Sequence, residues 1–213
     1  MQEFDLVIVG TGSGNAIPAG LEDWDIALVE RDVFGGTCLN RGCIPSKMLV
    51  YAADVALHVR EASRYQLDAS FGGVDWPALV DRVFGRIDPI AAAGERYRVE
   101  DCDNVTVFRS HGTFVDHKVL EVDGQRVRSE RFLLGAGARP YIPPIPGLDD
   151  VGHHTSDTIM RIPELPERLV VLGGGYIATE LGHVFEAFGT AVTIVNRGHR
   201  LLRSEDTDIS SRY

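Results

Sequence analysis

The sequence predicts an α/β fold, because two segments each combine an apolar strand, a glycine-rich turn, a helical stretch and a second strand. The first segment runs from Phe4 to Val29 and the second from Leu169 to Val195. Short alternating segments between them predict a small antiparallel β meander. Strand, turn, helix and strand in this order form a βαβ unit with parallel strands.

In the first segment, a strand over Phe4–Val9 runs into Gly10-Thr11-Gly12-Ser13-Gly14-Asn15, and a strand over Ile26–Val29 ends at Glu30. A short helical stretch is expected between them. This order is typical of a dinucleotide-binding, Rossmann-like βαβ unit. The glycines permit close approach to a pyrophosphate, and Glu30 would accept hydrogen bonds from an adenosine ribose. Asn15 stands where the third glycine of the usual pattern falls.

The second segment repeats this order. A strand over Leu169–Leu172 leads into Gly173-Gly174-Gly175, a helix is expected to about Phe188, and a strand follows over Ala191–Val195. The chain is therefore expected to contain two Rossmann-like units, with the second incomplete at its carboxyl end.

The residues that follow the last strand favour one nucleotide. Asn196 replaces the usual acid, and Arg197, Arg200 and Arg203 follow it. A carboxylate would contact a free ribose 2′-hydroxyl, whereas arginines suit a 2′-phosphate, so NADPH is preferred over NADH. A solvated basic loop is the alternative.

Two helices and four short strands are predicted between the two units. The helices cover Ile44–Tyr65 and Trp76–Val99, with a kink or break at Pro89. The Asp123-Gly124 pair predicts a hairpin turn within the meander. Its strands are Val105–Phe108, Gly112–Val115, Val119–Val122 and Phe132–Leu134.

The domain boundary is placed near residue 150. The prolines between Pro140 and Gly147 form a stiff connection there. Residues 1–150 would then form an incomplete FAD-binding domain, and residues 151–213 the start of a truncated NAD(P)H-binding domain.

Composition narrows the possible partners. The 213 residues carry a net charge of −10 without a basic block, which argues against nucleic acid and anionic membranes. No apolar run is long enough to span a bilayer, and the amino terminus lacks the positive region of a signal peptide. A cytoplasmic protein without a metal site is expected.

Cys38 and Cys43 are five residues apart and lie between Gly35-Gly36-Thr37 and Ile44-Pro45-Ser46-Lys47. In a regular helix this spacing advances about 7.5 Å, whereas a disulfide needs Cα atoms roughly 4.4–6.8 Å apart. A distorted turn entering a helix is therefore expected, where the helix N-terminus would lower a thiol pKa. Such a dithiol could reduce a disulfide substrate. Two reduced structural cysteines are the alternative.

Together these motifs resemble the disulfide reductases among the pyridine nucleotide flavoproteins. The resemblance covers the whole chain, and the stretch from Gly35 to Lys47 is its most specific part. Gly135-Ala136-Gly137 matches a segment that the family usually writes Ala-Thr-Gly. Within the family, the first glycine turn and the stretch from Lys47 to Val55 look most like the mycothione reductase subfamily.

The resemblance implies FAD and NADPH as cofactors and gives roles to five residues. Cys38 would attack the substrate disulfide, and Cys43 would be the thiolate against the flavin. Lys47 would lie near the flavin and pair with Glu180, and Tyr176 would be an aromatic gate over the flavin. Two further groups of residues would contact the cofactors. The FAD group is Gly10, Gly12, Ser13, Gly14, Glu30, Gly36, Thr37, Lys47, Gly112 and Gly137, and the NADPH group is Gly173, Gly174, Gly175, Ile177, Glu180, Arg197 and Arg203.

Three family parts have no counterpart here: a later Gly-Asp motif, the interface domain, and its His-Pro segment, which acts as a general acid–base. We expect an amino-terminal fragment of a homodimeric reductase of small-molecule disulfides, one that binds FAD poorly and turns over little by itself. The alternatives are a dihydrolipoamide dehydrogenase, a glutathione reductase-like enzyme, or a non-catalytic redox or binding module.

Overall fold

A computed structural model describes residues 1–212, in which strands and helices alternate along the chain. The strands are β1 (Gln2–Glu3), β2 (Leu6–Val9), β3 (Ile26–Val29), β4 (Val105–Phe108), β5 (Gly112–Asp116), β6 (Val119–Val122), β7 (Gln125–Arg128), β8 (Phe132–Leu134), β9 (Arg168–Leu172) and β10 (Ala191–Val195). The α-helices are α1 (Gly36–Arg41), α2 (Cys43–Arg60), α3 (Trp76–Glu100), α4 (Tyr176–Ala187) and α5 (Thr207–Ser210).

The chain divides into two units, and neither is continuous in sequence. The first unit contains Met1–Cys43 and Gly85–His153, and the second contains Ile44–Phe84 and the residues from His154 onward. Helices α2 and α3 each pass from one unit to the other. The division into domains 1–150 and 151–213 stays a prediction.

A four-stranded parallel sheet forms the centre of the first unit, in the order β4-β3-β2-β8. Val7 pairs with Ala27 on one side and with Phe132 on the other. The prediction that Val105–Phe108 and Phe132–Leu134 belong to the meander is therefore wrong. Both are short apolar runs, and periodicity alone does not separate an antiparallel strand from a buried parallel one.

The meander itself consists of β5, β6 and β7, with β1 added in parallel at its edge. Asp123 and Gly124 form its hairpin turn with φ of 51° and 70°, the left-handed conformation that this turn requires. The turn leads into Gln125–Arg128, a strand that the sequence did not predict. Val127 is its only apolar residue, and it is fully buried.

The central strands β2 and β3 are covered on both faces, as expected for strands that are apolar throughout. Val7, Ala27 and Val29 share one cluster with Leu120 and Val122 of the meander. Ile8, Ile26, Leu28 and Phe34 form a second cluster. Because neighbouring residues of a strand face opposite sides, β2 and β3 contribute to both clusters.

Three helical predictions need correction. The helix after the first glycine turn is only a 3₁₀ turn over Ser13–Asn15, and α2 ends at Arg60, with a separate 3₁₀ turn over Ala62–Tyr65. Helix α3 continues through Pro89. The proline ring there costs one hydrogen bond to the carbonyl of Gly85, and both residues are exposed, so water can replace the bond.

In the second unit, β9 and β10 pair in parallel, and α4 connects them in the sequence. Trp76 is a large, buried side chain of this unit. Its indole nitrogen donates to the Ile162 carbonyl at 2.8 Å, and its ring lies 5.3 Å from that of Phe185. Asp75 caps helix α3 by accepting from the Ala78 N–H. Among the described residues, none of the helices is both long and apolar enough to cross a membrane.

Candidate functional site

The first glycine turn lies at the carboxyl end of the parallel sheet, where the backbones of β2 and β8 nearly touch. Gly10 has φ of +101°, and a Cβ there would fall 2.2 Å from the Gly135 carbonyl oxygen. The Gly10 N–H donates to Val29 and the Gly135 N–H to Val9, both at 2.8 Å. The turn and the Gly135–Gly137 segment are therefore held together by backbone contacts that leave no room for a side chain.

The same turn also contacts the segment that carries the cysteines. Gly36 has φ of +61°, and a Cβ there would lie 2.6 Å from the Cα of Gly12. Only glycine permits this approach, since the Gly12 Cα belongs to the backbone and cannot move aside. The contact positions the first residue of α1 against the glycine turn.

Glu30 is engaged by the turn itself. One carboxylate oxygen accepts from the Thr11 N–H at 2.9 Å and from its hydroxyl at 2.8 Å, and the other accepts from the Asp32 N–H at 2.8 Å. Thr11 is 1% exposed. Sequence reasoning missed Thr11, although a polar residue between two glycines of a nucleotide turn is the signal that could have found it.

The cysteines lie on either side of a helix break. Cys38 belongs to α1, and Cys43 begins α2, with Gly42 between the two helices. A Cβ on Gly42 would lie 2.8 Å from the Thr37 carbonyl oxygen, so glycine is needed at the break. The predicted distortion between the cysteines is present, although the chain forms two helices there rather than one. Both residues are exposed thiols.

The two sulfur atoms are close enough to interact. The Cys38 thiol donates a hydrogen bond to Cys43, which raises the pKa of Cys38 above its ordinary value, and partial desolvation adds to the increase. The Cys43 N–H, at the start of α2, acts on the pKa of Cys38 in the expected, lowering direction, but the thiol contact and desolvation outweigh it. A sulfur that is donating a proton to its neighbour keeps that proton to higher pH.

Asn40 fixes the helix that carries Cys38. Its amide nitrogen donates to the carbonyls of Phe34 at 2.8 Å and Gly36 at 3.0 Å, and the residue is 5% exposed. Its Oδ1 atom is buried and has no hydrogen-bond partner within residues 1–212. Sequence reasoning missed Asn40, which lies between the two cysteines.

Two polar contacts join α2 to α4. Lys47, one turn after Cys43 on α2, forms an ion pair with Glu180. Two turns further along α2, the Asp54 carboxylate lies 3.1 Å from Nε2 of His183. The expected Lys47–Glu180 contact is thus present, and its role toward a flavin stays a prediction. The Asp54–His183 contact was not anticipated.

The second glycine turn has a different construction. The Gly173 N–H donates to Val195, and the Gly174 carbonyl accepts from Leu202 at 2.7 Å. A Cβ on Gly174 would lie 2.6 Å from Leu201. The loop after β10 therefore lies against the turn that begins α4, which contains Tyr176 and Ile177, respectively 67% and 42% exposed.

The arginines of that loop are exposed. Asn196 shapes the loop by donating to the carbonyls of Gly198 and Arg200. Arg197 and Arg203 are exposed and form no ion pair with another described residue. Their guanidinium groups are therefore available to an anion beside the second turn.

The remaining predicted contact residues differ in their surroundings. Ser13 and Thr37 are exposed, whereas Gly14 is buried against Ile8. Gly112 lies in β5, where a Cβ would fall 2.7 Å from the Leu120 side chain. Packing alone thus explains glycine at position 112, and its contact with FAD stays a prediction. Gly137 has φ of +71°.

Two features are found together: a parallel sheet with a glycine turn at its carboxyl end, and an interacting cysteine pair on the adjoining helices. This combination is typical of dinucleotide-binding proteins that carry a dithiol. The chain belongs to the pyridine nucleotide-disulphide oxidoreductase family, whose sequence profile matches residues 4–213.

Known relatives agree with this assignment. The chain is 49% identical to mycothione reductase of Mycobacterium tuberculosis over its whole length, and 35% identical to mercuric reductase of Staphylococcus aureus over 98% of it. It covers 48% and 38% of those proteins. The solved HOCl-induced flavoprotein disulfide reductase RclA from Escherichia coli matches 97% of the chain with a TM-score of 0.82 at 30% identity, and the match covers 45% of RclA. The chain thus spans about half the length of these relatives or less.

The family uses FAD and NAD(P)H, and the residues of both glycine turns fit such groups. The contact between Gly12 and Gly36 leaves backbone uncovered by side chains, as a pyrophosphate requires. Gly10, Gly12, Ser13, Gly14, Glu30, Gly36 and Thr37 surround that backbone and would hold FAD. The second turn, with Arg197 and Arg203 in the adjoining loop, would hold NADPH.

Proposed function

We propose that the chain is part of an NADPH-dependent flavoprotein disulfide reductase that reduces the disulfide of mycothiol through Cys38 and Cys43. The observation that carries this proposal is the cysteine pair itself: two exposed, hydrogen-bonded thiols on helices that adjoin a glycine turn. Neither a structural disulfide nor two buried thiols would need this exposure.

The chain's own residues support a two-electron exchange in which one equivalent of NADPH and one proton convert a disulfide to two thiols. When bound, FAD would take a hydride from NADPH and pass two electrons to the cysteine pair. Cys38, as a thiolate, attacks a substrate sulfur and releases the first thiol. Cys43 then attacks Cys38 in the mixed disulfide, which releases the second thiol and restores the Cys38–Cys43 disulfide.

The ion pair between Lys47 and Glu180 supports the proposal because it holds a positive charge four residues after Cys43 in the sequence. Lys47 follows Cys43 by one helical turn, and its ion pair with Glu180 holds the ammonium group in place. Such a charge would stabilise negative charge that develops on a reduced cofactor. Tyr176, largely exposed at the start of α4, would close over the flavin until the nicotinamide arrives.

The choice of NADPH rests on the loop after β10. Asn196 offers no carboxylate to a ribose hydroxyl and bonds to its own loop. Arg197 and Arg203 are exposed beside the turn and could bind a 2′-phosphate. The choice of mycothiol disulfide rests on the 49% identity with mycothione reductase, against 30–31% for a glutathione reductase and a dihydrolipoyl dehydrogenase.

The division into an FAD domain over 1–150 and the beginning of an NADPH domain over 151–213 forms part of the proposal. A homodimeric parent protein and a cytoplasmic location are kept as well. All three follow from the resemblance and the composition described above.

An anaerobic visible spectrum of the chain with added FAD, recorded before and after two-electron reduction, tests the flavin and its neighbour. FAD is added in large excess, because the chain by itself is expected to bind it poorly. We expect a long-wavelength charge-transfer band that disappears in Cys43→Ser and persists in Cys102→Ser, the control for loss of a thiol elsewhere. A band that survives Cys43→Ser would contradict the assignment of Cys43.

A single-turnover experiment tests the substrate without requiring the flavin. The reduced Cys43→Ser chain is mixed with mycothiol disulfide, glutathione disulfide or lipoamide, and the mixed disulfide on Cys38 is followed by mass spectrometry. Mycothiol disulfide should react fastest. Equal rates with all three would contradict the substrate while leaving the reductase assignment intact, and no adduct on Cys38 would contradict both.

A further inference from the structure

The first glycine turn is followed by almost no helix. Its 3₁₀ turn ends at Asn15, and the ten residues from Ala16 to Asp25 contain no helix before β3 begins. In a full dinucleotide-binding unit, the helix both orients the N–H groups of the turn and satisfies the carbonyls behind it. Something else must therefore perform these tasks in the first unit.

Arg98, near the end of α3, is positioned to do so. Its Nε donates to Oδ1 of Asn15 at 2.8 Å, and its Nη2 donates to the backbone carbonyl of the same residue at 2.6 Å. One planar guanidinium thus holds both oxygens of Asn15 as a fork, a geometry that lysine cannot reproduce. The third nitrogen, Nη1, lies 3.5 Å from the sulfur of Cys102.

The fork explains why Asn15 stands at the third glycine position. In a helix, the carbonyl of residue 15 would accept from an N–H four residues later, whereas here its only backbone donor in the described chain is Ile17, at 3.0 Å. Arg98 adds a charged donor to that carbonyl and a second bond to the side chain. A glycine at position 15 could not make the second bond.

We propose that Arg98 is a positioning residue for pyrophosphate binding, which acts through Asn15 in place of the missing helix. This inference rests on the proposed function of the first turn as the FAD site. The fork fixes the backbone of Ser13–Asn15, and with it the direction in which the N–H groups of the turn face the pyrophosphate. Arg98 itself need not contact the cofactor.

Calorimetric titration of the 213-residue chain with ADP, FAD and adenosine tests the proposal. Arg98→Met should weaken ADP and FAD about tenfold, the loss of roughly one charge-assisted hydrogen bond. Adenosine, which lacks the pyrophosphate, should bind as before. Arg96→Met is the matched control, because Arg96 is an exposed residue of the same helix whose side chain has no hydrogen bond or ion pair in the described chain. Arg98→Lys should recover only part of the loss.

A double substitution separates the fork from a general loss of stability. In the Asn15→Gly background, Arg98→Met should have little further effect on ADP affinity, because the two residues act through one interaction. Additive losses would overturn the proposal, and so would equal ADP affinities in Arg98→Met and Arg96→Met.

Hydrogen exchange without nucleotide examines the fork directly. The amides of Asn15, Ala16 and Ile17 are hydrogen-bonded within the turn, and they should exchange faster in Arg98→Met than in Arg96→Met. Unchanged exchange would overturn the positioning role whatever the titrations give. Failure of the unsubstituted chain to bind either ADP or FAD would instead count against the proposed flavin function.

Discussion

The two glycine turns of this chain begin from the same sequence pattern and are completed in opposite ways. In the first, the strand runs into tightly packed glycine backbones, a short 3₁₀ turn and an acid, Glu30, that binds back to the turn. In the second, the strand runs into a 12-residue helix, and the loop after β10 carries exposed arginines. The glycines thus leave room for a dinucleotide at both turns, and we propose that the residues that end the second strand determine which one binds.

Glycine replacement should distinguish the two turns most strongly. Gly10→Ala places a methyl group 2.2 Å from a backbone oxygen at φ of +101°. We expect it to lower the free energy of unfolding by about 3 kcal/mol or more, since backbone strain and overlap add. Gly175→Ala meets nothing within 4 Å and should cost less than about 1 kcal/mol, a helix-cap effect. Urea unfolding of both variants measures this, and equal losses would contradict the difference.

Removal of the acid in the first turn should have the next largest effect. Glu30→Ala leaves the buried N–H and hydroxyl of Thr11 without their acceptor, at an expected cost of about 1–3 kcal/mol. Asn196→Ala, the equivalent change in the second turn, removes bonds from an exposed loop and should cost less than about 1 kcal/mol. Thermal unfolding compares the two. A larger loss in Asn196→Ala would reverse the comparison.

The arginines after β10 should determine the nucleotide preference of the second turn alone. Replacing Arg197 and Arg203 together by alanine should weaken NADPH binding by about 10- to 100-fold and leave NADH unchanged, because only NADPH has a 2′-phosphate. Calorimetric titration with both nucleotides gives the ratio. Equal losses of affinity for NADPH and NADH would show that the loop does not recognise the 2′-phosphate.

The smallest expected effect is the loss, at low pH, of the stability that the Asp32–Arg41 ion pair contributes. The Arg41 hydrogen bond holds the pKa of Asp32 below its ordinary value, and the Val33 N–H adds to this. Because the folded pKa is lowered, the stabilisation is present above the ordinary carboxyl pKa and is lost as the pH falls through the lowered one. Arg41→Met should cost less than about 1 kcal/mol near neutral pH, since the pair is partly exposed.

The difference between Arg41→Met and the unsubstituted chain should therefore vanish in acid. Urea unfolding at several pH values measures it. A difference that stays constant with pH would mean that Arg41 contributes by packing rather than by charge.

Local patterns predicted the strands on both sides of each glycine turn and the break between Cys38 and Cys43. What they missed depends on contacts distant in sequence. Gln125–Arg128 is a strand because Val127 fills the core, although its pattern is mostly polar. The Arg98–Asn15 fork joins residues 83 apart. The raised pKa of Cys38 depends on the contact of its thiol with Cys43, which the sequence spacing alone did not predict.

The contact between Gly12 and Gly36 also limits how the sequence can vary. Gly36 is required because a Cβ there would lie 2.6 Å from the Gly12 backbone, whereas a Cβ on Gly12 would lie at an ordinary 3.5 Å from Gly36. A substitution at Gly36 therefore cannot be accommodated by a compensating change at Gly12. No residue smaller than glycine could replace Gly12. In a library of random variants, position 36 should therefore be as invariant as a catalytic residue, even when the selection is for folding alone.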